Sequence, residues 1–286
     1  MIAEAAVSLA PAKLNLALKV LGRRPDGYHE LDSIMVRLSL ADRLRVEFTA
    51  ESVPDYLVTD SAFSLPDGFD GADNLVLKAA ELYRARAGWP EGALRFFLEK
   101  EIPWGAGLGG GSSDAAAVLK ILNRAAPEPL PEGGLLELGL TLGADVPFFL
   151  QPFNPARARG VGELLGPAPD EFLIWCGRAL VLVNPGFAVP TPLVFKNLGL
   201  TNGAANNNLG SIAELAAGGN DLLAAALKAA PRLAEVHRSV ESLEPDCFGL
   251  SGSGGTFWFY SRNRGEDMAA LAEAQPAWWI REAFIV

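Results

Sequence analysis

Alternation of apolar and polar residues predicts several β-strands in this chain. Between positions 14 and 20, leucine or valine occupies every second position, which is the period of a strand with one buried face. Residues 44–48 repeat this alternation, and apolar runs predict further strands at 94–98, 179–183 and 256–260. The turn-forming residues Arg24-Pro25-Asp26-Gly27 follow the first strand and predict a reversal of the chain there.

Apolar positions at helical spacing predict α-helices between these strands. One helix begins near Asp73-Asn74, and others are predicted at 115–124, in a short segment ending at 142, at 221–230 and at 232–243. Pro231 separates the last two, because proline ends a helix. Polar segments rich in Pro, Gly, Asp or Asn predict loops at 52–73, 127–134 and 199–210. Hairpins with helices packed on one side predict an α+β fold.

The composition narrows the classes of function. The net charge is −10, which argues against a general nucleic-acid binder, since such proteins usually carry a basic stripe. Two histidines, His29 and His237, are too few for a histidine-rich zinc site. The two cysteines, Cys176 and Cys247, lack metal-type spacing; one disulfide is an alternative to the two buried thiols that we expect in a reducing compartment.

No part of the sequence has the pattern of a targeting or membrane segment. The N-terminal residues lack a basic region followed by an apolar run, so no signal peptide is expected. No run of about 18 uncharged apolar residues occurs, which is the length that a membrane span requires. We therefore expect a cytoplasmic protein with neither a membrane nor a nucleic-acid partner.

A glycine- and serine-rich segment at 103–114 is the strongest chemical signal. Five glycines lie between positions 105 and 111, and Ser112 and Ser113 follow at the expected N-cap of the helix at 115–124. Free backbone N–H groups and the helix dipole favour an anion at such a place, so the segment predicts a phosphate-binding loop. A flexible linker or a simple helix cap is the alternative.

Common phosphate loops of other families do not fit this segment. The chain has no GxxxxGK[ST] sequence, which excludes a P-loop. The spacing of Gly105, Gly107 and Gly110 matches GxGxxG, but the residues that follow, Pro127-Glu128-Pro129-Leu130-Pro131, do not supply the second strand and acidic residue of a dinucleotide fold. The HRD and DFG motifs of protein kinases are also missing.

The segment PWGAGLGGGSSDAA at 103–116 resembles the PxxxGLGSSAA signature of the GHMP kinases. It has the GLGGGSSxAA form of the branch that acts on diphosphocytidyl-methylerythritol. Six further segments resemble motifs of that branch in the same order: APAKLNL at 10–16, DGYHEL at 26–31, GADVPFF at 143–149, PTP with Phe195, NDL at 220–222 and LSGSG at 250–254. The resemblance covers nearly the whole chain. It departs at 151–161, where a glycine pair of the family is missing, and the Asn-rich segment 202–208 is unusual.

The resemblance implies a fold and a reaction. We expect the two-domain GHMP kinase fold, with domains at 1–155 and 156–286 and the active-site cleft between them. The implied reaction transfers a phosphoryl group from ATP to the 2-hydroxyl of the cytidyl diphosphate alcohol, with Mg²⁺ bound through the nucleotide. No residue is assigned as a metal ligand. The protein is then expected to act as a monomer or weak homodimer.

The resemblance also assigns roles to single residues. Asp145 would accept the proton of the attacking hydroxyl while Lys13 orients it and stabilises charge on the phosphate; a structural ion pair is the alternative. Asn15, Tyr28, His29, Thr191 and Phe195 would bind the alcohol, with Tyr28 and Phe195 stacking on cytosine and His29 bonding its edge. The nucleotide would be bound by a third set, Asn74, Lys100, Pro103, Gly105, Ala106, Gly107, Leu108, Gly109, Gly110, Gly111, Ser112 and Ser113.

Some of these residues have ordinary structural interpretations. Asn74 could equally be a plain N-cap, and Lys100 a solvated charge at a strand end. At the level of function, three alternatives remain: a related kinase for mevalonate, homoserine or a sugar, a non-catalytic relative that only binds ligand, and an RNA-binding domain. Tyr28, His29 and Phe195 favour the cytidyl substrate over a small alcohol, since a small alcohol has no base to recognise.

Overall fold

The computed structural model describes residues 5–201, 203 and 218–286. The chain divides into two compact units, each built from three stretches of sequence. The first contains the described part of Met1–Ala12 together with Leu40–Trp104 and Gly109–Pro152, and the second contains Lys13–Ser39, Gly105–Leu108 and the described part of Phe153–Val286. The predicted domains at 1–155 and 156–286 stay a prediction. Apart from Gly203, the Asn-rich segment 202–208 lies outside the described residues.

The chain begins with two long paired strands, β1 (Ala6–Arg23) and β2 (His29–Phe48). The predicted turn at 24–27 joins them: the N–H of Arg24 donates to the carbonyl of Tyr28, and the N–H of Gly27 donates to the carbonyl of Arg24. Both strands continue from one unit into the other. The alternation at 14–20 and 44–48 therefore predicted real strands, but each is much longer than its alternating part.

The described residues of the first unit add strands and helices to its parts of β1 and β2. β3 (Tyr56–Ser61) pairs in parallel with β4 (Leu94–Lys100), and β4 pairs antiparallel with residues 43–48 of β2. The helices are α1 (Leu75–Ala87), α2 (Gly110–Ala125), α3 (Glu132–Leu142) and α4 (Val146–Leu150). Leu94, Phe96 and Leu98 alternate on the buried face of β4, and α2 buries an almost continuous surface from Ser113 to Leu122. The prediction that 52–73 is mainly loop was wrong for β3.

Two groups of strands belong to the second unit. β5 (Ala156–Gly160) pairs antiparallel with residues 31–35 of β2 and with β6 (Leu164–Pro167), followed by a 3-10 helix at Asp170–Trp175. A separate antiparallel sheet has the order β10-β7-β9-β8. Its strands are β7 (Ala179–Asn184), β8 (Cys247–Leu250), β9 (Phe257–Tyr260) and β10 (Trp279–Phe284). All of β7 is buried, as its uninterrupted apolar sequence predicts.

The helices of the second unit pack on this sheet. They are α5 (Thr191–Asn197), α6 (Leu223–Ala229), α7 (Leu233–Glu241) and α8 (Arg264–Ala274). Val236 and Val240 of α7 share a core with Val181 of β7 and Phe257 of β9. Pro231 separates α6 from α7, as predicted. The elements confirm the α+β class.

The structure also shows the path of the segment at 151–161 and the state of the two cysteines. The segment at 151–161, where the family glycine pair is missing, leads from α4 into β5, and the Oδ1 of Asn154 accepts the N–H of Arg37 at 2.8 Å. Neither cysteine forms a disulfide. The expectation that both are buried was wrong, because Cys176 is exposed and Cys247 is half-buried. Within the described residues, no helix is both long enough and apolar enough to cross a membrane.

Candidate functional site

The glycine loop turns sharply before it enters α2. Gly105, Gly107 and Gly109 have φ angles of +66°, +76° and +69°. These angles lie in the left-handed region, which residues other than glycine rarely adopt. At Gly107, a Cβ would lie 2.6 Å from the carbonyl oxygen of Ser251 and 2.7 Å from that of Gly254. Only glycine fits at this position, because both the backbone angle and the available space forbid a side chain.

The start of α2 differs from the expected one. The N-cap residue is Gly109, not Ser112 or Ser113, and the N–H of Ser113 already donates to the carbonyl of Gly109 within the helix. The helix thus includes two glycines and two serines at its beginning. The N–H groups of its first turn have no partner within the helix, and the helix dipole adds partial positive charge there. The start of α2 can therefore bind an anion through backbone groups.

A buried lysine lies beside the glycine loop in the second unit. The backbone N–H of Lys13 donates to the carbonyl of Leu108 at 2.8 Å, so β1 is hydrogen-bonded to the loop at that residue. The Nζ of Lys13 donates to the Oδ1 of Asn15 at 2.7 Å, and the Nδ2 of Asn15 donates to the Oγ of Ser33 at 2.7 Å. All three side chains are buried. This chain of hydrogen bonds fixes the position of the Lys13 ammonium group.

The second glycine-rich loop, residues 251–254, contacts the first. The Oγ of Ser251 donates to the carbonyl of Gly107 at 2.9 Å. Gly252 has a φ of +58°, and a Cβ there would lie 3.3 Å from the Nζ of Lys13 and 3.4 Å from the Oδ1 of Asn15. The backbone at Gly252 therefore packs directly against the Lys13–Asn15 pair, where a larger residue would displace the ammonium group.

Asn220 fixes this second loop, a role that sequence reasoning missed. Its Nδ2 donates to the carbonyls of Leu250 and Gly252, both at 2.8 Å, while its Oδ1 accepts the N–H of Leu222. The neighbouring Asp221 accepts the N–H of Val20 on β1 at 2.9 Å. The NDL motif thus ties β1 to the loop at 251–254. The sequence showed the motif, but no local pattern indicated its hydrogen-bond partners.

An aromatic pair marks a further part of the second unit. The rings of His29 and Phe195 are stacked, with centroids 4.8 Å apart and planes at 30°. Burial, with a smaller contribution from Arg23, lowers the pKa of His29, so its imidazole is neutral at pH 7. The Nε2 of His29 is buried and has no hydrogen-bond partner among the described residues. Tyr28, the residue before His29, is 65% exposed.

The remaining predicted site residues have defined local positions. Thr191 Oγ1 lies 2.7 Å from Ser253 Oγ, so the start of α5 contacts the loop at 251–254. Asn74 is the N-cap of α1: its Oδ1 accepts the N–H of Val76 and its Nδ2 donates to the carbonyl of Phe69, each at 2.9 Å. Pro103 is half-buried ahead of the glycine loop.

The two charged residues predicted in the first unit differ in their surroundings. Asp145 is half-buried at the N-cap position of α4 and makes no side-chain capping bond to that helix. The Nζ of Lys100 is buried and donates to two carboxylates, Asp42 and Asp114. Lys100 is therefore not the solvated charge considered above, and at most one of its three N–H bonds is left for a nucleotide. The pairing of Lys13 with Asp145 stays a prediction.

The described residues contain no group of three or more His, Cys, Asp or Glu side chains that could hold a metal ion.

Comparison with known proteins identifies close relatives. Residues 74–151 match the model of the GHMP kinases N terminal domain. The 4-diphosphocytidyl-2-C-methyl-D-erythritol kinase of Cereibacter sphaeroides is 43% identical, over 96% of this chain and 98% of its own. The enzyme of that name from Thermus thermophilus is 42% identical, over 94% and 92%.

Solved structures agree with the sequence comparison. A crystal structure of 4-(cytidine 5'-diphospho)-2C-methyl-D-erythritol kinase superimposes with a TM-score of 0.74 and 38% identity, covering 98% of this chain and 99% of the other. Mevalonate kinase of Methanococcus jannaschii gives a TM-score of 0.64 at 13% identity, covering 99% of both chains. The second likeness is one of fold alone.

Proposed function

Because the chain belongs to the 4-diphosphocytidyl-2-C-methyl-D-erythritol kinases of the GHMP kinase family, we propose that it transfers the γ-phosphoryl group of ATP to the 2-hydroxyl of 4-diphosphocytidyl-2-C-methyl-D-erythritol. The products are ADP and the 2-phosphate of that alcohol. The reaction belongs to the non-mevalonate route to isoprenoid precursors.

The observation that carries this proposal is the hydrogen bond between Lys13 and the glycine loop. The N–H of Lys13 donates to the carbonyl of Leu108 at 2.8 Å, and the loop continues through the left-handed Gly109 into α2. Lys13, whose side chain is buried, is thus hydrogen-bonded through its backbone to a loop suited to phosphate. Phosphoryl transfer depends mainly on positioning and charge stabilisation, which is what such an arrangement supplies.

In the proposed mechanism, backbone groups of residues 105–113 hold the phosphates of ATP. Lys13, fixed by Asn15 and Ser33, stabilises negative charge on the transferred group. Asp145 accepts the proton of the 2-hydroxyl as that oxygen attacks phosphorus, and the bond from phosphorus to the β–γ bridging oxygen breaks to release ADP. Magnesium, bound through the nucleotide, would neutralise phosphate charge. Asn74, Lys100 and Pro103 are proposed to contact the rest of the nucleotide.

Recognition of the cytidyl group is proposed for Tyr28, His29 and Phe195. The stacked rings of His29 and Phe195 offer an aromatic surface, and Tyr28, the residue before His29, is exposed. The Nε2 of the neutral His29, which has no partner among the residues that the structure describes, suits a hydrogen bond to the edge of a base. Asn15 and Thr191 are proposed to contact the rest of the alcohol. A monomer or weak homodimer in the cytoplasm, without nucleic-acid or membrane partners, stays our expectation.

The proposal is tested by ADP release with a panel of alcohols. The cytidyl alcohol should give the highest kcat/KM, and mevalonate and homoserine should give values at least about 100-fold lower, since they leave the base site empty. Phe195→Ala should raise KM for the cytidyl alcohol and leave KM for ATP unchanged. Preference for a small alcohol would favour the related kinases instead, and nucleotide binding without turnover of any alcohol would indicate a non-catalytic relative.

A further inference from the structure

Three charged side chains are buried together beneath the start of α2, and we call them the charge triad. They are Asp42 of β2, Lys100 of β4 and Asp114, the fifth residue of α2. Their exposed fractions are 0%, 5% and 2%. The Nζ of Lys100 hydrogen-bonds to the Oδ2 of Asp42 and lies 2.8 Å from the Oδ2 of Asp114. One ammonium group thus joins two carboxyl groups.

The two carboxyl groups of the charge triad differ in their hydrogen bonds. The Oδ1 of Asp42 accepts the backbone N–H groups of Glu101 at 2.7 Å and Ile102 at 2.9 Å, so both of its oxygens are bonded. The Oδ1 of Asp114 is buried and has no hydrogen-bond partner among the described residues. Asp42 is therefore the fixed anion, while Asp114 has an oxygen on which a proton could reside.

The net charge of the charge triad favours a proton on Asp114. Two carboxylates and one ammonium leave a net negative charge in the interior, which is costly. Burial raises the pKa of Asp114 to about 7; Lys100 opposes this rise and Asp42 adds to it. Burial lowers the pKa of Lys100, but its two carboxylate neighbours raise it above the usual value, so Lys100 keeps its charge.

The charge triad lies close to the place proposed for the phosphates. A Cβ on Gly110, the first residue of α2, would lie 3.2 Å from the Nζ of Lys100 and 3.1 Å from the Cγ2 of Ile102. The backbone that would bind phosphate thus packs on the ammonium group of the charge triad. An anion at the start of α2 and an ionised Asp114, the fifth residue of that helix, repel each other.

Resting on the proposed function, we propose that ATP binding at the start of α2 is coupled to proton uptake by Asp114, so that the charge triad is neutral when the phosphates are bound. Asp114 is then a positioning residue, which acts on the nucleotide through Lys100 and α2. The charged groups that act on Asp114 from the described elements are Lys100 and Asp42. Ser113 and Ala115, its neighbours on α2, carry no charge.

The direction of the effect follows from linkage. An anion nearby raises the proton affinity of Asp114, and protonation of Asp114 favours the anion by the same factor. Well below pH 7, Asp114 is already protonated in the free protein, because its pKa is about 7. A further fall in pH therefore does not increase ATP affinity through Asp114. Above pH 7, ATP binding is accompanied by proton uptake at Asp114, so the affinity for ATP should fall by up to about tenfold for each pH unit.

The test compares nucleotide binding by the wild-type chain, Asp114→Asn and Glu99→Gln between pH 6.5 and 8. Asparagine has the shape of the protonated carboxyl group but cannot titrate, and Glu99 is an exposed carboxylate on the same strand as Lys100. Calorimetry with a non-hydrolysable ATP analogue and Mg²⁺, in buffers of different ionisation enthalpy, counts the protons taken up. Titration of the nucleotide's own phosphate contributes equally to all three proteins.

We expect the wild type and Glu99→Gln to take up a few tenths of a proton more than Asp114→Asn at pH 7.5. Their affinity should fall more steeply above pH 7, whereas that of Asp114→Asn follows the nucleotide alone. Equal proton uptake and equal pH dependence in all three would overturn the inference and leave Asp114 a structural ion-pair partner. Failure of every protein to bind nucleotide would overturn the proposed function together with the inference.

A measurement on the wild type alone covers the case in which Asp114→Asn does not fold. Infrared difference spectra on nucleotide addition at pH 7.5 should show a gain in the carbonyl stretch of a protonated carboxyl group. Absence of that gain, with the nucleotide bound, contradicts the proposal without use of any variant.

Discussion

Lys13 is a buried lysine whose ammonium group is held by neighbouring polar side chains. Lys13, Asn15 and Ser33 form one hydrogen-bonded chain, and each is at most 6% exposed. Burying an ammonium group is costly unless hydrogen bonds compensate, so this arrangement is unlike the flexible surface position of an ordinary lysine. Motif resemblance could identify Lys13 and Asn15 as candidate site residues. It could not identify Ser33, because the contact across two strands leaves no local pattern in the sequence.

The proposed role of Asp145 as proton acceptor can be tested by a single substitution. In Asp145→Asn the amide cannot take the proton of the hydroxyl, so kcat should fall by about 10²- to 10⁴-fold. Because asparagine has nearly the size and shape of aspartate, the fold should stay intact, and the thermal unfolding midpoint tests this. Steady-state ADP release and calorimetric unfolding of the same preparation measure the two effects. Turnover close to that of the wild type would remove Asp145 from the mechanism.

At the scale of elements, glycine and serine at the start of α2 explain one error of sequence reasoning. Gly110 and Gly111 have low helix propensity, and Ser112 and Ser113 are typical caps, so the pattern predicted a helix from 115. The structure begins the helix at Gly110, with the left-handed Gly109 as its N-cap. β3 was missed because its short strand-forming run, Tyr56 to Thr59, lies within a segment rich in Pro, Asp, Gly and Ser that predicted a loop.

The glycine loop gives a prediction at this scale. Gly107→Ala would place a methyl group 2.6 Å from the carbonyl oxygen of Ser251 at a φ of +76°. The strain should cost about 1–3 kcal/mol of unfolding free energy, and displacement of the loop should lower kcat/KM for ATP at least about tenfold.

Gly133→Ala is the matched control for this variant. Gly133 lies in α3, and nothing is within 4 Å of the position of its Cβ. Alanine there should stabilise the protein by roughly 0.5–1 kcal/mol and leave kinetics unchanged. Denaturant unfolding and initial rates of both variants provide the comparison. Normal kinetics in Gly107→Ala would show that the loop conformation does not matter for nucleotide use.

At the scale of the whole molecule, the sequence predicted the fold class and the family correctly. The α+β GHMP kinase fold and the membership among the 4-diphosphocytidyl-2-C-methyl-D-erythritol kinases are both confirmed. The order of the motifs sufficed for this because they extend along nearly the whole chain. The compact units were beyond local patterns, since each combines three separated stretches and β1 and β2 belong to both. Such grouping depends on long-range pairing, which periodicity does not reveal.

The proposed function requires that the γ-phosphoryl group of ATP ends on the 2-hydroxyl of the alcohol. ³¹P NMR of a reaction with ATP and 4-diphosphocytidyl-2-C-methyl-D-erythritol, labelled with ¹³C at the carbon that bears the 2-hydroxyl, follows the transfer directly. We expect one new phosphomonoester for each ADP formed, with its phosphorus coupled to the labelled carbon. Inorganic phosphate in place of the ester, or an ester not coupled to that carbon, would contradict it.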